Sequence, residues 1–266
     1  MFILAFCFAK LAAAYAYIFL GSDLDYSALF QGYCTNDIVI GRFDILNTIH
    51  FFLFRSGCSL GEIAYFWVFA IFQLALLLIS FNKLYEYRFR YNKLLLIAIY
   101  FSPTILFFAS APTKDGFFVS ITCIAIILIN RFYNIFLFIS GTIKPYLLAL
   151  LAIRIRGVFS RFIMLMLGLL FVFYFGEQIF YLVFSKASYI TSGIGGVSLS
   201  SFVWALEIII IGILTIFARV ILKKDFAFIL LICVLGSGVS LNVASRIFTI
   251  SIFYLLALRL YKNARS

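Results

Sequence analysis

Charged side chains are scarce in this sequence. They make up 12% of its 266 residues, against 65% hydrophobic, where a soluble domain carries roughly 25% charged and about 45–50% apolar residues. A soluble fold of this length keeps part of its surface in water, and too little polar material is present to cover it. That shortage excludes a soluble enzyme, a disordered chain and a secreted disulfide scaffold. Metal-ligand spacing is missing as well: Cys7, Cys34, Cys58, Cys123 and Cys233 contain no pair set as zinc ligands are. No internal repeat is visible, and the opening run lacks a clear small-residue cleavage site, so it reads as a signal-anchor span. What is left is an all-α, polytopic membrane protein, because long apolar runs cross bilayers as helices whereas barrel strands alternate.

The apolar runs fall at about 2–20, 62–82, 94–111, 116–130, 132–153, 162–184, 202–222, 226–241 and 247–261. Three of them (116–130, 226–241 and 247–261) are short of the roughly 20 residues a span needs. Gly141, Lys144 and Pro145 interrupt the middle of 132–153; proline removes a backbone donor and glycine loosens a helix. The run therefore reads as two half-helices, kinked or re-entrant, which requires a protein-walled cavity around the break.

The formal net charge of +11 sits mostly in short loops. Lys83, Arg88, Arg90 and Lys93 fill one, Arg154, Arg156 and Arg161 another, Lys223 and Lys224 a third, and Lys262 and Arg265 the tail. This is the positive-inside pattern rather than a nucleic-acid surface. It predicts one transmembrane domain over residues 1–266, N-in and C-in, with about eight full spans plus the broken pair 132–153. The loops 21–61, 112–115 and 185–201 and the segment 242–246 then face outward. Cys34 and Cys58 share loop 21–61, and a disulfide between them is open if that loop meets an oxidising compartment.

Polar residues that this scheme does not place are the informative ones. Loop 21–61 carries Asp23, Asp25, Asp37, Asp44, Arg42, His50 and Arg55. Ile45, Ile49, Phe52 and Leu53 recur there at helical spacing, so 42–56 reads as an interfacial amphipathic helix. Its cations either snorkel to water or face a site. Pro112-Thr113-Lys114-Asp115-Gly116 opens a helix, whose free amides and partial positive charge suit an anion; a plain cap with a local ion pair is the alternative. Lys144 lies within an apolar run at a cost of order 3 kcal/mol, which usually marks function. Arg246 stands at the mouth of the last span. Glu177 and Glu207 lie within spans, where structural pairing is the default, with one of the cations as a candidate partner. Cations converging on a cavity can neutralise a lipid-linked phosphate or diphosphate. Asp23, Asp25, Asp115 or His50 can take a proton from an attacking hydroxyl.

In order and topology these motifs resemble a known family. Asp23, Asp25, Tyr26 and Phe30 follow the first span, and Phe51-Phe52-Leu53-Phe54-Arg55-Ser56-Gly57-Cys58-Ser59 leads into an aromatic second span, Tyr65-Phe66-Trp67. Pro112-Thr113-Lys114-Asp115-Gly116 opens another span, Lys144-Pro145-Tyr146-Leu147 breaks one, and Ser245-Arg246 precedes the last. Over roughly residues 20–260 the chain resembles the Wzy-type O-antigen polymerases and EpsG-like exopolysaccharide polymerases, membrane glycosyltransferases of GT-C-like fold. It departs from them in length, being short, and in carrying Lys144 where such proteins often have an arginine, which forfeits bidentate phosphate geometry.

The resemblance implies transfer of a glycan from undecaprenyl diphosphate to a sugar hydroxyl of another lipid-linked repeat unit, at the periplasmic face of a bacterial inner membrane. It implies no metal, cofactor or nucleotide sugar, because the lipid diphosphate is the leaving group, and it makes a chain-length regulator protein a candidate partner. Carried onto this sequence, Lys114, Lys144 and Arg246 bind the diphosphate, and Asp115 orients Lys114 or serves as base. Asp23 and Asp25 meet the acceptor sugar, with Asp25 and His50 further candidates for the base, and Arg42, His50 and Arg55 line the approach. A single-sugar lipid-dependent glycosyltransferase fits the same residues. A transporter or flippase using Lys144 and Glu207 stays open from another class, as does a non-catalytic membrane partner.

Overall fold

The computed structural model describes residues 2–20, 30, 34, 55–86, 93–128, 132–144, 147, 199–218, 225–227, 229–230, 233 and 241–264. Among them the secondary structure is helical and contains no strand. The helices are α1 (Phe2–Leu20), α2 (Glu62–Glu86), α3 (Lys93–Tyr100), α4 (Pro103–Leu106), α5 (Lys114–Ile127), α6 (Tyr133–Ile143), α7 (Leu199–Phe217) and α8 (Leu241–Ala264), with 3-10 turns at Cys58–Leu60 and Phe108–Ser110. Two helices, α2 and the Leu241–Leu258 part of α8, are long and apolar enough to cross a membrane, and α3 with 103–110 makes a third if the bent pair is one span. The segments Ile3–Phe19, Asp115–Ile127 and Phe202–Phe217 are apolar but shorter. The chain falls into two compact units that divide at Lys144 and Pro145, where the sequence places its break: residues 1–144 with 263–266, and 145–262.

In the first unit, α1 is apolar on every face, so lipid and protein sides are separated by fit rather than by polarity. Phe6, Lys10, Ala14 and Tyr17 are buried, at steps of four, four and three, whereas Ile3, Leu4, Phe8, Tyr15 and Phe19 are exposed. The buried stripe packs on α2 and on the segment 103–110. Tyr17 stacks on Phe66, ring centres 5.8 Å apart. α5 packs between α2 and α6. At about 1.5 Å per residue, neither α5 nor α6 reaches across a bilayer core of about 30 Å. α6 lies back along α5, and Lys144 at the end of α6 comes beside the first turn of α5.

Two expectations are corrected here. The run 94–111 is not one straight span: α3 and the helical stretch Pro103–Ser110 meet at a bend of 46°. Pro103 lacks an amide hydrogen and starts a new helix, and Ser102 caps it by accepting from the Ile105 amide at 3.3 Å. The segment 242–246 is not a loop before the last span, because α8 begins at Leu241. Arg246 consequently lies in its second turn, with no glycine or proline within 241–246 to delay the helix. Of the expected spans, 162–184 and most of 226–241 fall outside the described residues, as does most of the amphipathic stretch 42–56; its end at Arg55 and Ser56 is helical.

The open question about the cysteines is answered. Cys34 and Cys58 form a disulfide, while Cys7, Cys123 and Cys233 are free thiols. Such a bond persists in an oxidising compartment. The bridge ties loop 21–61 to the entrance of α2, where the buried Phe30 ring lies 6.1 Å from that of Tyr65. Cys34 and Cys58 are expected to resist a maleimide on unfolded protein until reductant is added. A gel-shift count of labelled thiols before and after reduction checks this.

In the second unit, α7 and α8 carry a buried polar contact. Glu207 on α7 is 5% exposed. Its two carboxylate oxygens accept from Ser245 Oγ at 2.6 Å and Thr249 Oγ1 at 2.7 Å, one turn apart on α8. The sequence suggested a cation as partner, and hydroxyls take that place. Ser245→Ala combined with Thr249→Val strips both donors from a buried carboxylate and is expected to cost about 2–3 kcal/mol. Glu207→Gln should cost less, and denaturation midpoints of the purified variants in detergent compare the two.

Candidate functional site

The site is built where α5 begins. Thr113 occupies the N-cap with extended backbone, so Lys114, Asp115 and Gly116 form the first turn. An acidic residue there complements the partial positive charge of the free amides. Asp115 is fully buried, and a buried carboxylate needs a partner. The partner is Lys144: its Nζ lies 2.5 Å from Asp115 Oδ1.

Lys144 reaches this point because of the break the sequence shows. It follows the last residue of α6 with φ −125 and ψ 83, outside the helical region, as the residue before a proline must be. Its side chain keeps 20% of its surface exposed, against 0% for Asp115. The pair is thus asymmetric, with the aspartate enclosed and the lysine side chain partly exposed. Two motifs that the sequence presents 29 positions apart, Pro112-Thr113-Lys114-Asp115-Gly116 and Lys144-Pro145-Tyr146, are joined by one ion pair.

Packing fixes the first turn from behind. Gly116 has no room for a side chain: a Cβ would stand 1.9 Å from the Ala111 carbonyl oxygen, 2.9 Å from the Phe69 ring and 3.0 Å from the Ala109 carbonyl. On α2, the fully buried Gln73 donates from Nε2 to the Gly116 carbonyl at 3.1 Å and to Ser120 Oγ at 3.4 Å. Phe69 meets Phe117 edge to face at 5.0 Å. The carbonyls of Ala109 and Ala111 come from the end of the bent helix, so the bend at Phe101 and Ser102 sets where Asp115 stands.

The structure brings together Asp115 and Lys144, and places Lys114 in the same turn by its backbone. Arg55 is exposed beside the disulfide-linked Cys58. Arg246 is half-buried on α8, in the second unit. Asp23, Asp25, Arg42, His50 and Glu177, with the Lys114 side chain, lie outside the described residues. No group of three or more His, Cys, Asp or Glu able to hold a metal ion occurs among the described residues.

Two polar residues near the site escaped the sequence reading, Gln73 and Lys10. Gln73 stands within an apolar helix, and its position four residues from Phe69 on a buried face was the available signal. Lys10 is a charge inside an apolar run, and that was its available signal.

No family model, curated protein or solved structure matches this chain.

Proposed function

We propose that the protein is a membrane glycosyltransferase that polymerises lipid-linked oligosaccharide repeat units at the outer face of a bacterial inner membrane. The observation that carries this reading is the Asp115/Lys144 ion pair. It unites the two motifs that resemble the polymerase family, and it sets a partly exposed lysine beside a helix start. A lipid diphosphate is a doubly anionic leaving group, and charge that develops on it needs fixed cations in a low-dielectric setting. Lys144, held by Asp115, supplies one cation and Lys114 on the same turn a second; Arg246 is a further cation that the family resemblance assigns to the diphosphate.

In this scheme a sugar hydroxyl of the acceptor unit attacks the anomeric carbon of the donor glycan. The bond from that carbon to the diphosphate oxygen breaks, and its electron pair leaves with undecaprenyl diphosphate. The hydroxyl proton passes to Asp25 or His50, since Asp115 is enclosed and engaged by Lys144. Asp23 meets the acceptor sugar, and Arg42 and Arg55 line the approach from loop 21–61. Attachment of that loop to α2 through the Cys34/Cys58 disulfide agrees with an outward-facing site.

Surface glycans from cells complemented with Lys114→Ala, Lys144→Ala or Arg246→Ala test the proposal. Loss of long chains beyond any fall in protein level is expected for each, by a factor of about 100 or more where a charge to the leaving group is lost. An unchanged ladder for Lys144→Ala, the residue that carries the reading, contradicts it.

A further inference from the structure

Lys10 is a buried lysine that the proposed reaction does not use. It is 1% exposed, in the middle of α1. Its Nζ donates to the Ile105 carbonyl at 2.5 Å and the Leu106 carbonyl at 3.4 Å. A lysine inside an apolar run costs of order 3 kcal/mol to insert, so its retention calls for a specific task. The carbonyls it binds end α4, a helix too short to satisfy them within itself. Ser110 Oγ donates to the second of them as well, at 2.5 Å.

The whole buried stripe of α1 grips this bend. Phe6 packs on Tyr100 and Phe101, ring centres 6.0 and 5.5 Å apart, on the near side of the break. Tyr17 packs on Phe107, at 5.0 Å, on the far side. Lys10 lies between them in the stripe and supplies the hydrogen bonds. From Leu106 the chain runs through the turn Phe108–Ser110 to the Ala109 and Ala111 carbonyls, against which Gly116 is seated. Asp115 is the next residue back.

We infer that Lys10 is a positioning residue for the candidate site: by holding the Ile105 and Leu106 carbonyls it fixes the bent helix whose end aims Asp115 at Lys144. Each link in that chain is a contact in the structure, and all belong to the first unit. Rings alone hold the bend against translation but leave the Ile105 carbonyl without the lysine donor, with only Ser110 on the Leu106 carbonyl, and an unpaired carbonyl in an apolar interior is released by local rearrangement. The consequence for chemistry rests on the proposed function; the consequence for geometry does not.

The test is made on the full chain in membranes. Asp115→Cys and Lys144→Cys are introduced together, with Cys7, Cys123 and Cys233 changed to alanine and the Cys34/Cys58 disulfide kept. A short bifunctional methanethiosulfonate linker then reports whether the two positions face each other. With Lys10 present the pair is expected to cross-link. With Lys10→Met the yield should fall at least about fivefold, while protein level and the native disulfide stay normal. Lys10→Arg, which keeps donors for both carbonyls, should restore most of it.

Equal cross-linking with Lys10→Met overturns the inference. If that variant does not accumulate, Lys10→Gln replaces it and should give an intermediate yield. Failure of both to accumulate would make Lys10 a residue of the whole fold and also overturn a positioning role. In parallel, surface glycans are compared for Lys10→Met and Lys10→Arg in the otherwise native chain, where loss in the first and rescue by the second are expected. An unchanged ladder for Lys144→Ala sinks the polymerase reading and leaves the cross-linking result standing, so the two failures are told apart.

Discussion

Replacing Lys144 with alanine while Asp115 remains is expected to destabilise the protein by about 3 kcal/mol or more, because a fully enclosed carboxylate is left without its counter-charge. Changing both partners together, to Asp115→Leu with Lys144→Met, should recover most of that loss. A buried ion pair adds little to stability compared with well-packed apolar residues; what is costly is half of one. The cycle of single and double variants, followed by denaturation of purified protein in detergent, measures the coupling directly. Activity should move differently from stability. The double variant is expected to fold well and to make no long glycan, since it removes the amine proposed to meet the diphosphate. A pair retained only to hold α5 against α6 would instead leave the double variant active.

Gly116→Ala carries the other large expected effect. The added Cβ would sit 1.9 Å from the Ala111 carbonyl oxygen, a backbone atom that no rotamer change can move aside. Either the first turn of α5 unwinds or the 109–111 segment shifts, and both separate Asp115 from Lys144. A loss of about 3 kcal/mol or more is expected, with loss of long glycans. Gly212→Ala is the matched control. In that helix a Cβ would meet Phe248 at 3.6 Å, an ordinary contact, and alanine in a helix is favoured over glycine by roughly 0.5–1 kcal/mol. Gly212→Ala should therefore be neutral or mildly stabilising, which thermal melting of the two variants side by side checks.

Much of the helical layout was legible in the sequence because insertion leaves a strong signature. The first run matches α1, and the run at 62–82 lies within α2. The break at Lys144 and Pro145 was visible because proline and a mid-run charge are both costly there, and α6 ends at Ile143. The bend at Ser102 was missed, although Ser-Pro is a helix-start signal, because the apolar run continues through it and hydropathy alone hides a change of direction. The start of α8 was placed too late for the opposite reason: Asn242, Ser245 and Arg246 look polar, yet α8 already begins at Leu241 and Ser245 finds its partner, Glu207, on another helix.

The pairing at the site was not legible, for a physical reason. Asp115 has a lysine beside it in sequence, and a local pair is the natural first reading. Neighbouring residues on a helix diverge by about 100°, however, and do not face each other. A partner from the end of α6 becomes available only once α6 folds back along α5, and that depends on packing. Lys10 and Glu207 show the same limit. Each is a charge in an apolar run, and each is satisfied by neutral oxygens on another helix, Ile105 and Leu106 carbonyls for one and Ser245 and Thr249 hydroxyls for the other. Charge placement marks such residues as important without naming what they bind.

The most direct test of the account uses the purified protein with a labelled undecaprenyl-diphosphate-linked repeat unit and no other enzyme. Products are read by mass and released lipid diphosphate by chromatography. The account predicts glycans growing by whole repeat units, one undecaprenyl diphosphate released per linkage, and no product from Lys144→Ala. Growth by single sugars would shift the reading to the simpler transferase. Absence of any linkage from the folded wild-type protein, or undiminished polymer from Lys144→Ala, would contradict the account.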